Sequence, residues 1–167
     1  LWMGLIGFID DYLKVVKKLS LGLIARYKLV GQIFLGCIVS YWIFQIPDYI
    51  DISTKTTVPF FKNVELDLGF LYPIMVILVI TGTSNAVNLT DGLDGLLAGL
   101  LAISFSVFSA ITYITGRFDF SDYLNILYIP NAGELTIFTS AMAGACIGYL
   151  WFNSHPAEVF MGDTGSL

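Results

Sequence analysis

The chain alternates between long uncharged stretches and short polar intervals, and that alternation sets its architecture. Leu1 to Ile9 is apolar and too short to span a bilayer, so residues 1–9 read as the exit half of a helix. Polar residues then gather from Asp10 to Lys28, and a charge-free run follows from Leu29 to Ile46. With its flanks (residues 27–46) this run reaches the ~20 residues that a helix needs to cross a ~30 Å hydrocarbon core. Residues 68–89, 95–116 and 135–152 repeat the pattern. Pro73 falls in the first turn of the second run, where a missing N–H does little harm. Between the runs, Pro47 to Asp67 is polar and contains a β-branched stretch, Ile52 to Val58, suited to a short hairpin. Arg117 to Glu134 is polar, with a turn at Pro130-Asn131. Gly144 and Gly148, four apart in the last run, offer a close-packing face to another helix.

The pattern predicts an all-α polytopic membrane protein with four complete transmembrane helices and one partial one, in a single integral membrane domain. Composition agrees: 56% of residues are hydrophobic and 13% charged, against about 25% charged in soluble domains. No basic cluster lies on an aromatic surface, which removes support for nucleic-acid binding. Cys37 and Cys146 sit inside apolar runs without a partner at metal or redox spacing, so packing accounts for them. The chain opens mid-pattern with LWMGLIGFI and stops at GDTGSL where a new element begins, so it reads as an internal fragment.

Alternating spans put three intervals on one side of the membrane: Asp10 to Lys28, the link around Asp91 and Asp94, and Asn153 to Ser166. Lys14, Lys17, Lys18, Arg26 and Lys28 fall in the first, against Lys55, Lys62 and Arg117 opposite. The positive-inside rule makes that side cytoplasmic.

The acids collect on this same face. Asp10-Asp11, Asp91 with Asp94, and Asp163 are far apart in sequence, and together they suggest a site for a hard cation such as Mg²⁺, which takes carboxylate and phosphate oxygens. Any one of them alone reads better as a solvated helix cap. Neighbours on a helix point about 100° apart, so Asp10 and Asp11 share an ion only if the helix end unwinds. Otherwise one faces the reaction centre while the other orients it or pairs with a lysine. In NAVNLTDGLDGL, Asp91 and Asp94 share a face if a helix starts at Thr90 or Asp91, and Gly92 and Gly95 allow close backbone approach. A capped turn explains Thr90 and one aspartate, but not Asn85 and Asn88 in the preceding turns. In FMGDTGS, Asp163 reads as a metal or phosphate turn or as an N-cap, and Phe160 as a stacking ring or plain packing. His155 suits a loop role better than that of a general base. The basic residues signal topology and anionic lipid first, and guidance of a polyanionic substrate second.

The stretches GFIDDYLKV, GLIARYK, VPFFK, TGTSNAVNLTDGLDGL, PNAGEL and WFNSHPAEVFMGDTGSL, in this order, resemble the polyprenyl-phosphate N-acetylhexosamine-1-phosphate transferase superfamily. The match is closest to its phospho-N-acetylmuramoyl-pentapeptide transferase branch. The resemblance implies about ten spans in the full protein, with further site elements before Leu1 and a histidine-rich inner loop beyond Leu167. It implies transfer of phospho-MurNAc-pentapeptide from UDP-MurNAc-pentapeptide to undecaprenyl phosphate, giving lipid I and UMP with Mg²⁺ as cofactor. The setting would be the cytoplasmic face of the bacterial cytoplasmic membrane, with a homodimer among the assemblies it permits. By the same resemblance Asp10 and Asp11 are the essential pair, with Asp10 as general base, and Asp163 is the Mg²⁺ ligand. Asn88, Asp91, Gly92, Leu93, Asp94 and Phe160 form the uridine pocket, with Asn85 among the substrate-binding residues, and Asn153 and Lys18 lie near the sugar or phosphates. Sister enzymes that transfer other N-acetylhexosamine phosphates share the DD and NxxDGxDGL themes and remain the alternative. A transporter or channel subunit would instead carry carboxylates near mid-span and an internal repeat.

Overall fold

The structure, a computed structural model, describes residues 1–19, 22–45, 54–58, 61 and 65–167. The chain resolves into two compact units. The first comprises Leu1–Val58, Val64–Asp91 and Met161–Leu167, and the second Pro59–Asn63 and Gly92–Phe160.

In the first unit, α1 (Trp2–Val15) continues past Ile9 and carries Asp10 and Asp11 in unbroken helix. The pair does not end it because Lys14 lies four residues on and ion-pairs with Asp10 across one turn. α2 (Ala25–Gln45) is followed by a two-stranded antiparallel ribbon, β1 (Lys55–Thr57) with β2 (Glu65–Asp67), in which Thr56 faces Leu66. The hairpin expected within Ile52 to Val58 is thus one strand with a later partner, while Ile52 itself lies outside the described residues. After a single 3₁₀ turn (Gly69–Leu71), α3 (Tyr72–Thr90) begins with Pro73 in its first turn. Gln32 meets Ser84 and Gly36 packs against Ile77, so α2 and α3 run antiparallel. α1 leans on α2 where the Trp2 indole N–H donates to the Gly31 carbonyl at 3.0 Å. The short α7 (Gly162–Ser166) packs on α1 and α3.

The second unit is a helical hairpin. α4 (Leu96–Thr115) packs against α6 (Ala132–Asn153), with the seven-residue α5 (Phe118–Leu124) between them in sequence. Its contact face is small and polar. Ala98, Ala102, Ala143 and Cys146 are buried, Ser109 and Ser140 hydroxyls lie 2.6 Å apart, and those of Thr112 and Thr136 lie 3.1 Å apart. The tight glycine contact is Gly116 against the backbone of Gly133. Gly144 and Gly148, expected to form a packing face, have open space around them among the described residues. The polar interval after α4 contains α5. Ser121 fastens it back to the Ile114 carbonyl, and Arg117 lies over the Phe120 ring at 4.8 Å.

Large apolar side chains face outward (Trp42 is 70% exposed and Ile137 71%), while the buried set is dominated by Ala, Ser and Thr. This is the inverse of a water-soluble core and the pattern of helices packed within lipid. Among the described residues four helices, counting the 3₁₀ turn with α3, are long and apolar enough to cross a membrane: Ala25–Gln45, Gly69–Thr90, Leu96–Thr115 and Ala132–Asn153.

One close approach sets the position of α7. A Cβ on Gly7 of α1 would collide with the backbone carbonyl of Asp163, whereas one on Gly99 of α4 would meet nothing within 4 Å. In the full-length protein Gly7→Ala should therefore lower the melting temperature by several degrees, since overpacking costs about 1–3 kcal/mol. Gly99→Ala should leave it unchanged. Equal melting of the two variants would mean that α7 does not rest on Gly7.

Candidate active site

Asp10 and Asp11 on α1 and Asp163 on α7 each bring one carboxylate oxygen within 4.8 Å of the others. The helix does not unwind to achieve this. Asp163 arrives on a separate short helix, seated on α1 through Gly7, and the two neighbouring aspartates of α1 reach it in different ways.

Asp11 holds the start of α7. Its carboxylate accepts the backbone N–H groups of Asp163 (3.2 Å) and Thr164 (2.8 Å) and the Thr164 hydroxyl (2.6 Å). These N–H groups in the first turn of a helix have no partner within that helix, so a carboxylate from another helix takes the place of a local cap. Asp163 does not cap α7 with its own side chain, one of the two roles left open for it.

Asp10 faces the other way and is fully buried. Its Oδ1 accepts the Leu23 N–H at 2.6 Å, and its Oδ2 is ion-paired with Lys14 and with Lys28 at 3.2 Å. Gly22, at φ +57°, makes the turn that presents this N–H, and a Cβ there would crowd Asp10 Oδ1. A buried carboxylate without countercharge would cost several kcal/mol, and here two ammonium groups supply it.

The same two lysines serve Asp163. Lys14 Nζ lies 2.8 Å and Lys28 Nζ 2.7 Å from its Oδ2, while the Asn88 amide donates to Oδ1 at 2.9 Å and to the Ser166 hydroxyl at 2.9 Å. Burial opposes the charge on Asp163. The ammonium groups of Lys14 and Lys28 and the Asn88 amide overcome this and hold it well below the usual carboxylate range. Lys14 is correspondingly held above the ordinary lysine value by its bonds to Asp10 and Asp163. Asp91, which closes α3, is pushed up by burial and by the charge of Asp163.

The remaining residues fall into three groups. Asn85 donates to Gln32 Oε1 at 2.9 Å and to the Thr81 carbonyl at 2.7 Å, within the first unit. Lys18 follows α1 in an exposed turn at φ 55°, and the lysines that touch the cluster are Lys14 and Lys28. In the second unit Asp94 Oδ2 accepts the Ala157 N–H at 3.2 Å and lies 3.1 Å from His155 Nδ1. Asn153 is buried, accepting the Gly95 N–H at 3.0 Å and donating to the Val159 carbonyl at 2.8 Å. Leu93 and Phe160 are largely exposed, and Gly92 is exposed in the turn between α3 and α4.

One structural expectation is corrected. No helix starts at Thr90 or Asp91. α3 runs to Thr90, and α4 starts only at Leu96 because Gly95 adopts φ +73° and breaks the geometry ahead of it. Asp91 and Asp94 therefore lie in a turn, not on one helical face, and belong to different compact units.

Several contributors had no separate place in the sequence reading: Gly7, Gln32, Thr164 and Ser166. Lys14 carried a usable signal, four residues after Asp10 and so on its face. Gly7 and Gly4, one and about two turns before the aspartates, could have marked a groove for a close neighbour.

As a donor set the three carboxylates offer only hard oxygen ligands, the chemistry that suits Mg²⁺. The convergence of two ammonium groups on the same oxygens shows that the site calls for positive charge. Lysines and a cation beside one another are also what a phosphate group needs for charge neutralisation.

Comparison with known proteins gives a consistent result. The chain is 56% identical over 167 residues to a protein of Chloroherpeton thalassium named phospho-N-acetylmuramoyl-pentapeptide-transferase, covering all of this chain and 45% of that one. It is 53% identical to the protein of that name from Chlorobium phaeobacteroides strain BS1, with the same coverage. It is 52% identical over 166 residues to that from Chlorobaculum tepidum, covering 99% of this chain and 45% of the relative. The chain thus spans a little under half the length of these relatives. With four helices fit to cross a bilayer, it is part of a multi-pass, all-α membrane protein. Residues 1–167 match the family model described as glycosyl transferase family 4, and the chain belongs to that family.

Proposed function

We propose that this chain supplies part of the active centre of an enzyme that transfers phospho-MurNAc-pentapeptide from UDP-MurNAc-pentapeptide to undecaprenyl phosphate. The products are lipid I and UMP. The reading is carried by Asp163, gripped by Lys14 and Lys28 within a carboxylate trio, in a chain whose relatives bear that transferase's name.

In this reaction a phosphate oxygen of the lipid attacks the phosphorus that bears the sugar. The bond from that phosphorus to the bridging oxygen breaks, and UMP leaves with the electron pair. Both reactants are anionic, so the protein's task is charge neutralisation and in-line positioning. Asp163, with Asp10 and Asp11, would hold Mg²⁺, which when bound offsets the charge of the diphosphate. Lys14 and Lys28 orient the same phosphates and keep Asp163 ionised. Asp11 keeps the start of α7 in place, and Asp10, buried and paired with both lysines, sets their direction. Direct attack is favoured over a phospho-enzyme, because an acceptor already anionic at neutral pH needs little activation.

For the uridine the resemblance offers Asn88 and Asp91 in the first unit and Gly92, Leu93, Asp94 and Phe160 in the second, each a separate candidate for mutation. By the same resemblance Asn85 is proposed among the substrate-binding residues, and Asn153 and Lys18 for the sugar and phosphates. The lipid tail of the acceptor explains a site at the end of membrane-crossing helices. The excess of Lys and Arg near α1 and α2 supports a site on the cytoplasmic face of the bacterial cytoplasmic membrane. A transporter reading is disfavoured because Asp91 and Asp163 lie outside the membrane-length helices and Asp10 and Asp11 fall in the last two turns of α1, rather than at mid-span. The sister enzymes for other UDP-N-acetylhexosamines would use the same site with a different sugar.

In the full-length enzyme Asp163→Asn should cut UMP release by at least about a hundredfold, the scale of losing a principal electrostatic group, while the protein still inserts and folds. Wild-type turnover would remove Asp163 from the mechanism. The purified enzyme should consume UDP-MurNAc-pentapeptide and leave UDP-GlcNAc untouched. The opposite preference would assign it to a sister activity.

A further inference from the structure

Gln32 lies on α2, fully buried, and its amide is used in both directions. Its Nε2 donates to the Ser84 hydroxyl at 3.2 Å, and its Oε1 accepts from the Asn85 amide at 2.9 Å. Both partners are on α3, so one side chain fixes the register of α2 against α3. An amide with both ends satisfied cannot slide by a turn without leaving buried polar groups unpaired, at about 1–3 kcal/mol each.

The location of this clasp is informative. Four residues before Gln32, on the same face of α2, stands Lys28, whose ammonium lies 2.7 Å from Asp163 Oδ2. Four residues after Ser84, on the same face of α3, stands Asn88, whose amide donates to Asp163 Oδ1 at 2.9 Å. The two oxygens of one carboxylate are therefore held from two helices, each one turn beyond the clasp that joins them. Ser84 adds a third link, donating from its hydroxyl to the Leu167 carbonyl at the end of α7 (3.2 Å).

We infer that Gln32 is a positioning residue for Asp163, setting the spacing of Lys28 and Asn88 so that the carboxylate is presented in one orientation. It touches no substrate and acts through the α2–α3 register. The consequence for metal rests on the proposed role of Asp163 as ligand, whereas the positioning itself does not.

The test uses the full-length protein in detergent or nanodiscs and three variants. Gln32→Leu keeps the volume and removes both hydrogen bonds. Ser84→Ala removes one and keeps the inference testable should Gln32→Leu fail to insert. Ser40→Ala, a buried hydroxyl on α2 that among the described residues bonds to the Gly36 carbonyl of its own helix, is the control. Amide hydrogen exchange over residues 162–166 is measured without metal, and Mn²⁺ affinity by electron paramagnetic resonance. Gln32→Leu should speed exchange of α7 about tenfold, the factor that losing a buried hydrogen bond implies, and weaken Mn²⁺ binding to a similar degree. Ser84→Ala should act in the same direction, and Ser40→Ala should change neither. Unchanged α7 exchange in both clasp variants, or an equal change in Ser40→Ala, overturns the inference. Faster α7 exchange together with no Mn²⁺ binding by the wild type would uphold positioning and reject the metal role instead.

Discussion

The first unit is built around the enclosure of two negative charges by two positive ones. Asp10 is wholly out of solvent and Asp163 partly so, and each would be costly to keep ionised alone. Lys14 and Lys28 reach both, one from α1 and one from α2, so a single ion-pair network ties three helices together. Everything nearby makes room for it. Gly7 lets α7 approach, Gly22 turns the Leu23 N–H toward Asp10, and Asp11 takes up the otherwise unpaired first N–H groups of α7. The network that stabilises the unit is the one that would meet phosphate and metal. Structure and proposed function rely on the same charges.

Away from this network, hydrophobic burial has little to offer, because apolar side chains already face a lipid-like exterior. The helices are joined by small residues and hydroxyl pairs instead, as between Ser109 and Ser140 or Thr112 and Thr136. The Gln32 clasp is the counterpart in the first unit. Such links are directional, so they fix register where general apolar contact would allow sliding. A site that needs Lys28 and Asn88 on opposite oxygens of one carboxylate benefits from that directionality.

The spans were legible because charge-free runs of helical length have few other meanings. Their ends were less so. α1 extends beyond Ile9 because the Asp10–Lys14 pair supports another turn, a local interaction that a count of apolar residues overlooks. α4 starts at Leu96 because the left-handed Gly95 precedes it, and sequence alone does not choose between a glycine in the first turn and one that ends the preceding turn. At the site, the aspartates announced themselves by being expensive near a membrane. Their partners did not. Lys28 reaches the cluster by tertiary packing of α2, and Gln32 sets that packing from one turn away; no spacing within the chain encodes either. Lys18, singled out by resemblance, has the same chemistry as Lys14 but follows the end of α1, where the chain turns away in an exposed bend.

The central claim is that this carboxylate trio holds a cation against the diphosphate of a nucleotide sugar. Electron–nuclear double resonance on the full-length protein, loaded with Mn²⁺ in place of Mg²⁺ and with UDP-MurNAc-pentapeptide, addresses it directly. The account predicts ³¹P hyperfine coupling to the bound Mn²⁺ that disappears when the nucleotide sugar is omitted. Bound Mn²⁺ without such coupling would contradict it.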